Sequence, residues 1–293
     1  MKQNNLSIII PALDEEENIN ELLSQIEESF SEITNLEIVI VDDGSKNELK
    51  NYLDISKYSF KIQVLRNNYT KGQSASIEFG LKNCSGDVIG LIDGDLQNPP
   101  SELRRLYKYY CENNLDAVIS FRKKRNDEFT RKLISLLANW MLKVLTKSKY
   151  KDLGSSLKIV RRDCLESLSF KGDLHRFITP MLHVRGYKIF QLEVEHKKRT
   201  RGESKYGFSR IIPVLVDGLL FYLTKGFTKN SKYAIGQLSF ILFITSFVIN
   251  LVVLYQKLIY SEYVHRNPLF IVAMVFLILS IQIFSQVVQS DNS

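Results

Sequence analysis

Two aspartates separated by one glycine follow a strongly apolar segment of the sequence. Asp93 and Asp95 come directly after segment 88–92, and Gln97 and an Asn-Pro-Pro turn at 98–100 follow. Carboxylate and amide oxygens are the ligands that Mg²⁺ and Mn²⁺ prefer, so this spacing predicts a divalent-metal site. A divalent cation there would neutralise the charge that develops on a departing diphosphate. The alternative is an acidic surface loop, which the apolar strand before the pair disfavours.

A second acidic pair ends another apolar segment. Asp42 and Asp43 follow segment 37–41 and precede Gly44 and Ser45. Carboxylates in this position accept hydrogen bonds from a ribose or a base edge, and the glycine permits a tight turn into the next element. Ser45 as a plain helix N-cap is the alternative, and the two roles are compatible.

Several other kinds of chemistry lack their sequence motifs. The turn at 11–15, after the first predicted strand, has no G-x-G-x-x-G, which excludes a dinucleotide-dependent dehydrogenase. Neither a nucleophile elbow nor a P-loop is present. The histidines have no ligand-like grouping, and none is assigned to a metal: His175, His183, His196 and His265. The cysteines are odd in number and far apart, which predicts reduced packing residues: Cys84, Cys111 and Cys164.

The elements that must position these side chains alternate along the first half of the chain. Short apolar segments predict strands at 6–10, 37–41, 61–65, 88–92 and 117–121. The stretches between them predict helices at 16–32, 46–56, 73–83 and 100–113. This alternation indicates an α/β domain with a parallel sheet covered by helices. Ligands of such sheets bind at the carboxyl ends of the strands, so the polar loops should converge there.

The positive charge of the chain indicates phosphate-bearing partners. The net charge is +7, and the clusters of Lys and Arg lie at 122–132, 143–151, 197–205 and 225–232. Nucleic acid is disfavoured because the sequence has no zinc-finger spacing, RNP-like motif or basic recognition helix. Anionic lipid headgroups and sugar-nucleotide phosphates fit the neighbouring sequence better.

The C-terminal part predicts two transmembrane helices in a hairpin. Segments 234–255 and 269–288 are apolar and carry no charged residue, and each is long enough to cross a bilayer. The lysines before the first span place that end in the cytoplasm: Lys225, Lys229 and Lys232. Loop 256–268 would then face outward, although it carries Lys257 and Arg266. No cleaved signal is expected, since the N-terminal apolar run is short.

Two further segments have the character of interface helices. Segment 129–147 has an apolar face and a basic face, which fits either a helix on the membrane surface or one packed on the domain core. Segment 210–223 is more apolar and leads toward the first span. The expected organisation is a catalytic domain at 1–208, a juxtamembrane helix and basic linker at 209–232, and the membrane hairpin at 233–288.

The ordered motifs resemble those of family 2 glycosyltransferases, and within them the polyprenyl-phosphate and dolichyl-phosphate glycosyltransferases. The matching stretches are IIIPALDE at 8–15, VDDGS at 41–45, NYTKG at 68–72, DGDLQNPP at 93–100, DLGS at 152–155 and RGESKY at 201–206. Asp14 stands where this family usually has Asn, and Gly94 where it usually has Ala. The resemblance implies a GT-A, Rossmann-like fold. A processive polymerase is disfavoured because the Gln-x-x-Arg-Trp motif is absent.

The resemblance also implies roles for individual residues. The nucleotide sugar would be bound by Pro11, Ala12, Asp14, Glu15, Asp42, Asp43, Lys71, Gln73, Asp93, Gly94 and Asp95. The metal would be held by Asp93, Asp95 and Gln97. The acceptor phosphate would be bound by Arg122, Arg131, Arg201, Ser204, Lys205 and Tyr206. The catalytic group would comprise Asp95, Asp152, Arg122, Arg131, Arg201 and Lys205. For the arginines the alternative is a solvated surface charge. For Asp152 two roles stay open, a base and a group that orients the acceptor, and the second is favoured because a phosphate monoester needs little proton abstraction.

The activity implied by the resemblance is an inverting sugar transfer that needs Mg²⁺ or Mn²⁺. A nucleotide sugar would donate its sugar to a polyprenyl phosphate at the cytoplasmic face of the cell membrane, and UDP-hexose is favoured over GDP-hexose as the donor. The product would serve the synthesis of cell-envelope polysaccharide. A homo-oligomer such as a tetramer is a further implication, and nucleic acid is not an expected partner. Two alternatives stay open: an inactive nucleotide-sugar-binding scaffold in the membrane, and a transferase that uses another lipid acceptor.

Overall fold

The computed structural model describes residues 5–122, 150, 155–168, 170, 174–195, 231–260, 263–264 and 267–289. The chain divides into two compact units, Met1–Leu219 and Leu220–Ser293. The predicted helices at 129–147 and 210–223 lie outside the described residues.

The first unit is built on a mixed sheet. Its strands are β1 (Leu6–Ala12), β2 (Leu36–Asp42), β3 (Lys61–Arg66), β4 (Val88–Leu91), β5 (Ala117–Arg122), β6 (Lys158–Arg161) and β7 (Ile189–Val194). They lie in the order β3-β2-β1-β4-β6-β5-β7. The five predicted strands are confirmed. The prediction of a parallel sheet is wrong for β6, which runs antiparallel to both β4 and β5.

Helices flank the sheet. They are α1 (Ile19–Phe30), α2 (Gln73–Asn83), α3 (Pro100–Glu112), α4 (Arg162–Glu166) and α5 (Ile178–Val184). Short 3₁₀ turns occupy Leu49–Tyr52, Ile55–Lys57 and Leu174–Phe177. The helix predicted at 46–56 is wrong, because the carboxylate of Asp42 accepts the backbone N–H groups of Ser45 and Leu49. Such side-chain bonds replace the helical ladder and leave only single turns.

The two faces of the sheet are packed differently. One face carries the alternate residues Ile8, Ile10, Ile38 and Ile40, which are buried in the core together with apolar residues of α1 and α3. The other face receives α2 at very close range, since a Cβ on Gly80 would lie 2.6 Å from Ile9 Cγ2. The absence of a side chain at Gly80 therefore allows α2 to lie directly on the sheet, with its first turn at the carboxyl edge.

The second unit contains two long apolar helices, α6 (Ser231–Tyr260) and α7 (Pro268–Gln289). Ser239 Oγ donates to Ser280 O at 2.8 Å and Ser246 Oγ donates to Ala273 O at 2.7 Å, so the helices pack antiparallel. Both are long and apolar enough to span a membrane, over Ile235–Ile259 and Pro268–Gln286. Only 17% and 11% of their most apolar windows are buried, unlike the core helix of a soluble protein. The apolar hairpin predicted from the sequence is confirmed.

Candidate active site

The loops after β1, β2 and β4 meet at the carboxyl edge of the sheet. Ala12 pairs with Asp42 in the register of β1 and β2, so these two strands end level. Asp43 N donates to Ala12 O at 2.8 Å, which joins the first two loops. A Cβ on Gly94 would lie 3.5 Å from both Ala12 Cβ and Glu15 Cγ, which places the loop after β4 against the first. The predicted convergence of the polar loops is therefore found for these three strands.

The loop after β4 alternates between buried and half-buried residues. Asp93, Asp95 and Gln97 are half-buried, whereas Gly94 and Leu96 are buried. Leu96 has a φ of 59°, in the left-handed region that non-glycine residues rarely adopt, and its side chain packs in the core. Strain of this kind persists only where the surrounding structure holds it, and it is often found at functional sites. The buried Leu96 leaves the polar residues on either side of it at the surface of the loop.

The oxygen atoms of this loop fit a divalent cation that is shared with a substrate. Asp93 Oδ1 accepts a hydrogen bond from Gln73 Nε2 at 2.7 Å, and Asp95 Oδ1 accepts one from Gln97 N at 3.2 Å. Within the described part of the chain, no group of three or more His, Cys, Asp and Glu could enclose a metal by itself. Two carboxylates and one amide are too few for an all-protein cage, but they suit Mg²⁺ or Mn²⁺ that keeps phosphate and water ligands.

The other acidic pair, Asp42 and Asp43, is bound almost entirely by the protein. The two residues are only 1% and 4% exposed. Asp42 accepts the N–H groups of Ser45 and Leu49 and an ion-pair bond from Arg66. Buried carboxylates that accept several N–H groups hold the backbone that donates to them. Asp42 therefore fixes its own loop onto β3, and direct contact with a nucleotide stays a prediction for this residue.

Asp43 performs the same task for the loop after β3. Its Oδ1 accepts from Asn67 Nδ2 at 2.8 Å and from Lys71 N at 3.0 Å, and its Oδ2 accepts from Gly72 N at 2.8 Å. Gly44, at a φ of 77°, lies directly under this loop, since a Cβ there would come within 2.7 Å of the Tyr69 carbonyl carbon. Only glycine fits this position, both for its backbone conformation and for its space.

Asp14 joins the first two loops from the other side. Its backbone N donates to Ser45 Oγ at 2.9 Å, and its Oδ1 accepts from Lys46 N at 2.9 Å. Ser45 thus binds Asp14 rather than capping a helix. An Asn side chain also carries an acceptor oxygen at this place, so the change from the family's usual Asn leaves the bond to Lys46 possible.

The loop before α2 presents an aromatic ring and a cation beside the acidic pairs. Tyr69 is 68% exposed, and Lys71 Nζ lies 5.3 Å from the centre of its ring. Gln73, the first residue of α2, is the donor to Asp93. Lys71 and Gln73, both predicted to bind the nucleotide sugar, therefore lie in one segment that Asp43 and Asp93 tie to the carboxyl edge.

Sequence reasoning missed a contact made by the next residue of α2. Ser74 Oγ is hydrogen-bonded to His175 Nδ1 at 2.9 Å and accepts His175 N at 3.0 Å. The two residues are 101 positions apart, and no motif or periodicity links them. The contact brings the 3₁₀ turn Leu174–Phe177 to the same edge of the sheet.

The sequence model of the family described as "Glycosyl transferase family 2" matches residues 7–168, more than half of the chain. This chain belongs to glycosyl transferase family 2. The match covers the acidic pairs and the loops around them, and the chain is a glycosyltransferase of the inverting type that characterises this family.

Curated relatives of this glycosyltransferase act on lipid phosphates according to their names. The dodecaprenyl-phosphate galacturonate synthase of Rhizobium johnstonii is 29% identical over 96% of this chain and 85% of that protein. The undecaprenyl-phosphate 4-deoxy-4-formamido-L-arabinose transferase of Proteus mirabilis is 32% identical over 76% of this chain and 69% of that protein. These are the polyprenyl-phosphate transferases that the sequence motifs resemble.

Solved structures support the fold of this glycosyltransferase. Glucosyl-3-phosphoglycerate synthase from Mycobacterium tuberculosis, crystallised with Mn²⁺, UDP and phosphoglyceric acid, superposes with a TM-score of 0.60. The two chains are 19% identical, over 75% of this chain and 78% of that one. The predicted GT-A fold class is confirmed by this likeness together with the family match.

The remaining predicted site residues of this glycosyltransferase have different outcomes. Pro11 and Arg122 are half-buried, and Glu15 accepts a hydrogen bond from Asn18 Nδ2 at 2.6 Å. Six predicted residues lie outside the described part of the chain: Arg131, Asp152, Arg201, Ser204, Lys205 and Tyr206. The cysteines are free thiols as predicted, but Cys111 is exposed and is not a packing residue.

Proposed function

We propose that this glycosyltransferase transfers a sugar, with inversion, from a nucleoside diphosphate donor to a polyprenyl phosphate. The observation that carries the proposal is the loop after β4. In this loop Asp93 and Asp95 are half-buried, and Gly94 between them lies against the loop that follows β1. The names of the relatives support a polyprenyl phosphate as the acceptor. The sugars in those names differ, so they support the class of reaction rather than one donor.

The donor side of the site would be formed by three tethered loops. Asp42 and Asp43 hold two of these loops in place, and Asp14 joins the first to the second. In this arrangement the nucleotide would lie along preformed backbone and would contact the half-buried Pro11 and the exposed Lys71. A preformed site costs little ordering when the donor binds. UDP-hexose is the first donor to test.

Asp93, Asp95 and Gln97 would hold Mg²⁺ or Mn²⁺ together with the donor diphosphate. When bound, the cation supplies positive charge that stabilises the departing nucleoside diphosphate. Half-burial of the carboxylates strengthens this interaction relative to open water, because the local dielectric is lower. Gln73 would keep the Asp93 carboxylate in one orientation through the bond that it donates.

On the acceptor side, a phosphate oxygen of the lipid would attack the anomeric carbon. The new bond joins that oxygen to the carbon, and the bond to the diphosphate breaks on the opposite face, which inverts the configuration. A phosphate monoester has a second pKa of about 6, so it needs little help in losing a proton. Asp152 would therefore orient the acceptor. The phosphate would be bound by the cations Arg122, Arg131, Arg201 and Lys205 and by the hydroxyls of Ser204 and Tyr206.

The two apolar helices support a membrane location. An acceptor confined to the bilayer reaches a high effective concentration at an enzyme anchored in the same bilayer. The proposed organisation is a cytoplasmic catalytic domain at 1–208, a juxtamembrane segment at 209–232 and a hairpin at 233–288. A tetramer in the membrane is part of the same proposal.

The test is a transfer assay with the full chain in detergent or nanodiscs. The assay contains undecaprenyl phosphate, Mn²⁺ or Mg²⁺, and a panel of UDP- and GDP-linked hexoses and hexuronates. The mass of the lipid product is measured by mass spectrometry. We expect one donor to give a lipid-phosphate sugar that disappears with chelator. Donor binding without product across the panel would indicate a scaffold, and product only with another lipid would change the acceptor.

A further inference from the structure

The first turn of α2 is the meeting point of three segments that are distant in sequence. Asp43 holds the backbone of Lys71 and Gly72 just before the helix. Gln73 then donates to Asp93 Oδ1 at 2.7 Å. Ser74 makes two hydrogen bonds to His175, at 2.9 and 3.0 Å. One helical turn therefore connects Asp93, a proposed metal ligand, with His175.

The contact between Ser74 and His175 is shielded from water. Ser74 is 2% exposed, so water competes little for its hydroxyl group. The two bonds restrain both the backbone and the imidazole ring of His175. Phe177 and Ile178, which follow the histidine, are fully buried, so the segment carrying His175 is anchored in the core.

The hydrogen bond to Asp93 comes from Gln73, the residue next to Ser74 in the first turn of α2. A glutamine side chain has several rotatable bonds, and its amide meets a given oxygen consistently only when its backbone is held. Within the described residues, Asp93 Oδ2 receives no hydrogen bond, whereas Oδ1 receives the one from Gln73. The bond from Gln73 therefore selects which carboxylate oxygen stays available to a ligand.

We infer that His175 is a positioning residue for the metal site. Through Ser74 it holds the first turn of α2, and through Gln73 that turn holds the Asp93 carboxylate with Oδ2 available to the cation. The inference rests on the proposed function, because it assumes that Asp93 and Asp95 bind the metal. It assigns His175 neither a metal bond nor a proton transfer.

The experiment measures Mn²⁺ affinity directly, by electron paramagnetic resonance of the full chain in detergent with UDP or GDP. His175→Ala removes the ring bond to Ser74 Oγ but keeps the backbone bond, whereas Ser74→Ala removes both. We expect His175→Ala to weaken Mn²⁺ binding about 3- to 10-fold, the effect of one net hydrogen bond, and Ser74→Ala to weaken it at least as much. His175→Asn places an amide near the position of Nδ1 and should restore affinity to within about twofold. The matched control is His183→Ala, which removes a histidine whose ring packs edge-on against Tyr150 instead of bonding to Ser74.

A double-mutant cycle tests the route of the effect. If His175 acts through Gln73, the Gln73→Ala/His175→Ala variant binds Mn²⁺ no more weakly than Gln73→Ala alone. Additive losses would overturn the inference. So would a His175→Ala protein with a lowered melting temperature and unchanged Mn²⁺ affinity, and Ser74→Ala provides the same test if His175→Ala does not fold.

Asp95→Asn separates this inference from the proposed function. If Asp95→Asn also leaves Mn²⁺ binding unchanged, the metal site itself is wrong and the proposed function loses its main support. If Asp95→Asn weakens Mn²⁺ binding and both Ser74→Ala and His175→Ala leave it unchanged, only the role of His175 is refuted.

Discussion

Two acidic pairs lie at the same edge of the sheet, and the structure treats them in opposite ways. Asp42 and Asp43 are buried and accept hydrogen bonds from the loops on either side. Asp93 and Asp95 are half-buried; Asp93 Oδ1 accepts a hydrogen bond from the Gln73 side chain, and Asp95 Oδ1 accepts one from Gln97 N within its own loop. Both pairs follow apolar strands and resemble each other in sequence. The comparison separates carboxylates that hold neighbouring loops in place from the half-buried carboxylates for which we propose metal binding.

The physical origin of the difference lies in the segments that follow. The loop after β3 passes over Gly44 and directs the N–H groups of Lys71 and Gly72 at Asp43. Among the residues that the structure describes, no comparable segment donates backbone N–H groups to Asp93, and in the loop after β4 Leu96 takes the buried position while the carboxylates stay half-buried. A buried carboxylate without such donors would be costly, so burial and tethering go together.

The largest effect is expected for activity when the half-buried pair is altered. Asp95→Asn keeps the shape of the side chain but removes its charge, and we expect transfer to fall about 100- to 1,000-fold, as for loss of one preorganised electrostatic contact. The melting temperature should stay within about 2 °C of wild type, since Asn fills the same volume in a half-buried loop. Transfer rate and thermal unfolding in detergent measure both. Activity that persists in this variant and in chelator would contradict the ligand assignment.

The same Asp→Asn substitution in the buried pair should have its main effect on stability rather than on transfer. In Asp43→Asn one side-chain oxygen becomes an NH₂ group that faces a donor whose hydrogen bond the carboxylate accepts in the wild type, so we expect a loss of about 1–3 kcal/mol of stability. Thermal unfolding of Asp43→Asn beside Asp95→Asn makes the comparison with matched chemistry. A stable Asp43→Asn protein with strongly weakened donor binding would break the comparison, because Asp43 would then act as a ligand group.

A third carboxylate, Glu37 on β2, sharpens the comparison with a pH-dependent test. Burial raises its pKa, but hydrogen bonds from Lys61, Ser7 and Ser85 outweigh that effect and lower the pKa from 4.5 to about 2. A folded-state pKa below the unfolded value gives stability that is present above about pH 4.5 and lost as pH falls toward 2.

We therefore expect wild type to be about 2–3 kcal/mol more stable than Glu37→Gln near neutral pH, with the difference shrinking as the pH is lowered through this window. Thermal unfolding of both proteins between pH 7 and pH 2.5 measures it. A constant difference over this range would mean that the charge of Glu37 contributes little to stability.

The smallest effect is expected at Gly94, between the two half-buried aspartates. A Cβ there would lie 3.5 Å from Ala12 Cβ and Glu15 Cγ, an ordinary van der Waals distance. Gly94→Ala should therefore stabilise the protein by about 0.4–1 kcal/mol, by restricting the unfolded chain, and leave transfer within about twofold. Gly80→Ala is the contrast, since its Cβ would meet Ile9 Cγ2 at 2.6 Å and should destabilise the fold. A large loss of activity in Gly94→Ala would show that the loop must flex.

Much of the fold could be predicted from the sequence because the central strands are buried. β1, β2 and β4 are almost wholly buried and mostly apolar, with Ser7 and Glu37 among the exceptions, as expected for strands covered on both faces. β6 has only four residues, and nothing in its sequence indicates that it runs antiparallel to β4. Segment 46–56 has the composition of a helix but does not form one, because the Asp42 carboxylate accepts the N–H groups of Ser45 and Leu49.

Part of the candidate site could also be predicted from the sequence. Motif spacing identified the acidic loops, and the expected parallel sheet implied that they share its carboxyl edge. Spacing could not show that Asp42 and Asp43 are enclosed by donors, nor that His175 reaches Ser74. These relations depend on how segments far apart in sequence are placed together.

The sequence by itself determined the α/β domain, the apolar hairpin, the family and the positions of the carboxylates. Local hydrophobic periodicity and short motifs carry that information, because strands, spans and loops depend mainly on neighbouring residues. Only the tertiary structure decided which carboxylates hold the loops in place and which remain half-buried. Hydrogen bonds to a carboxylate depend on donors brought together by folding, and in this protein those donors come from the loop after β3 and the first turn of α2.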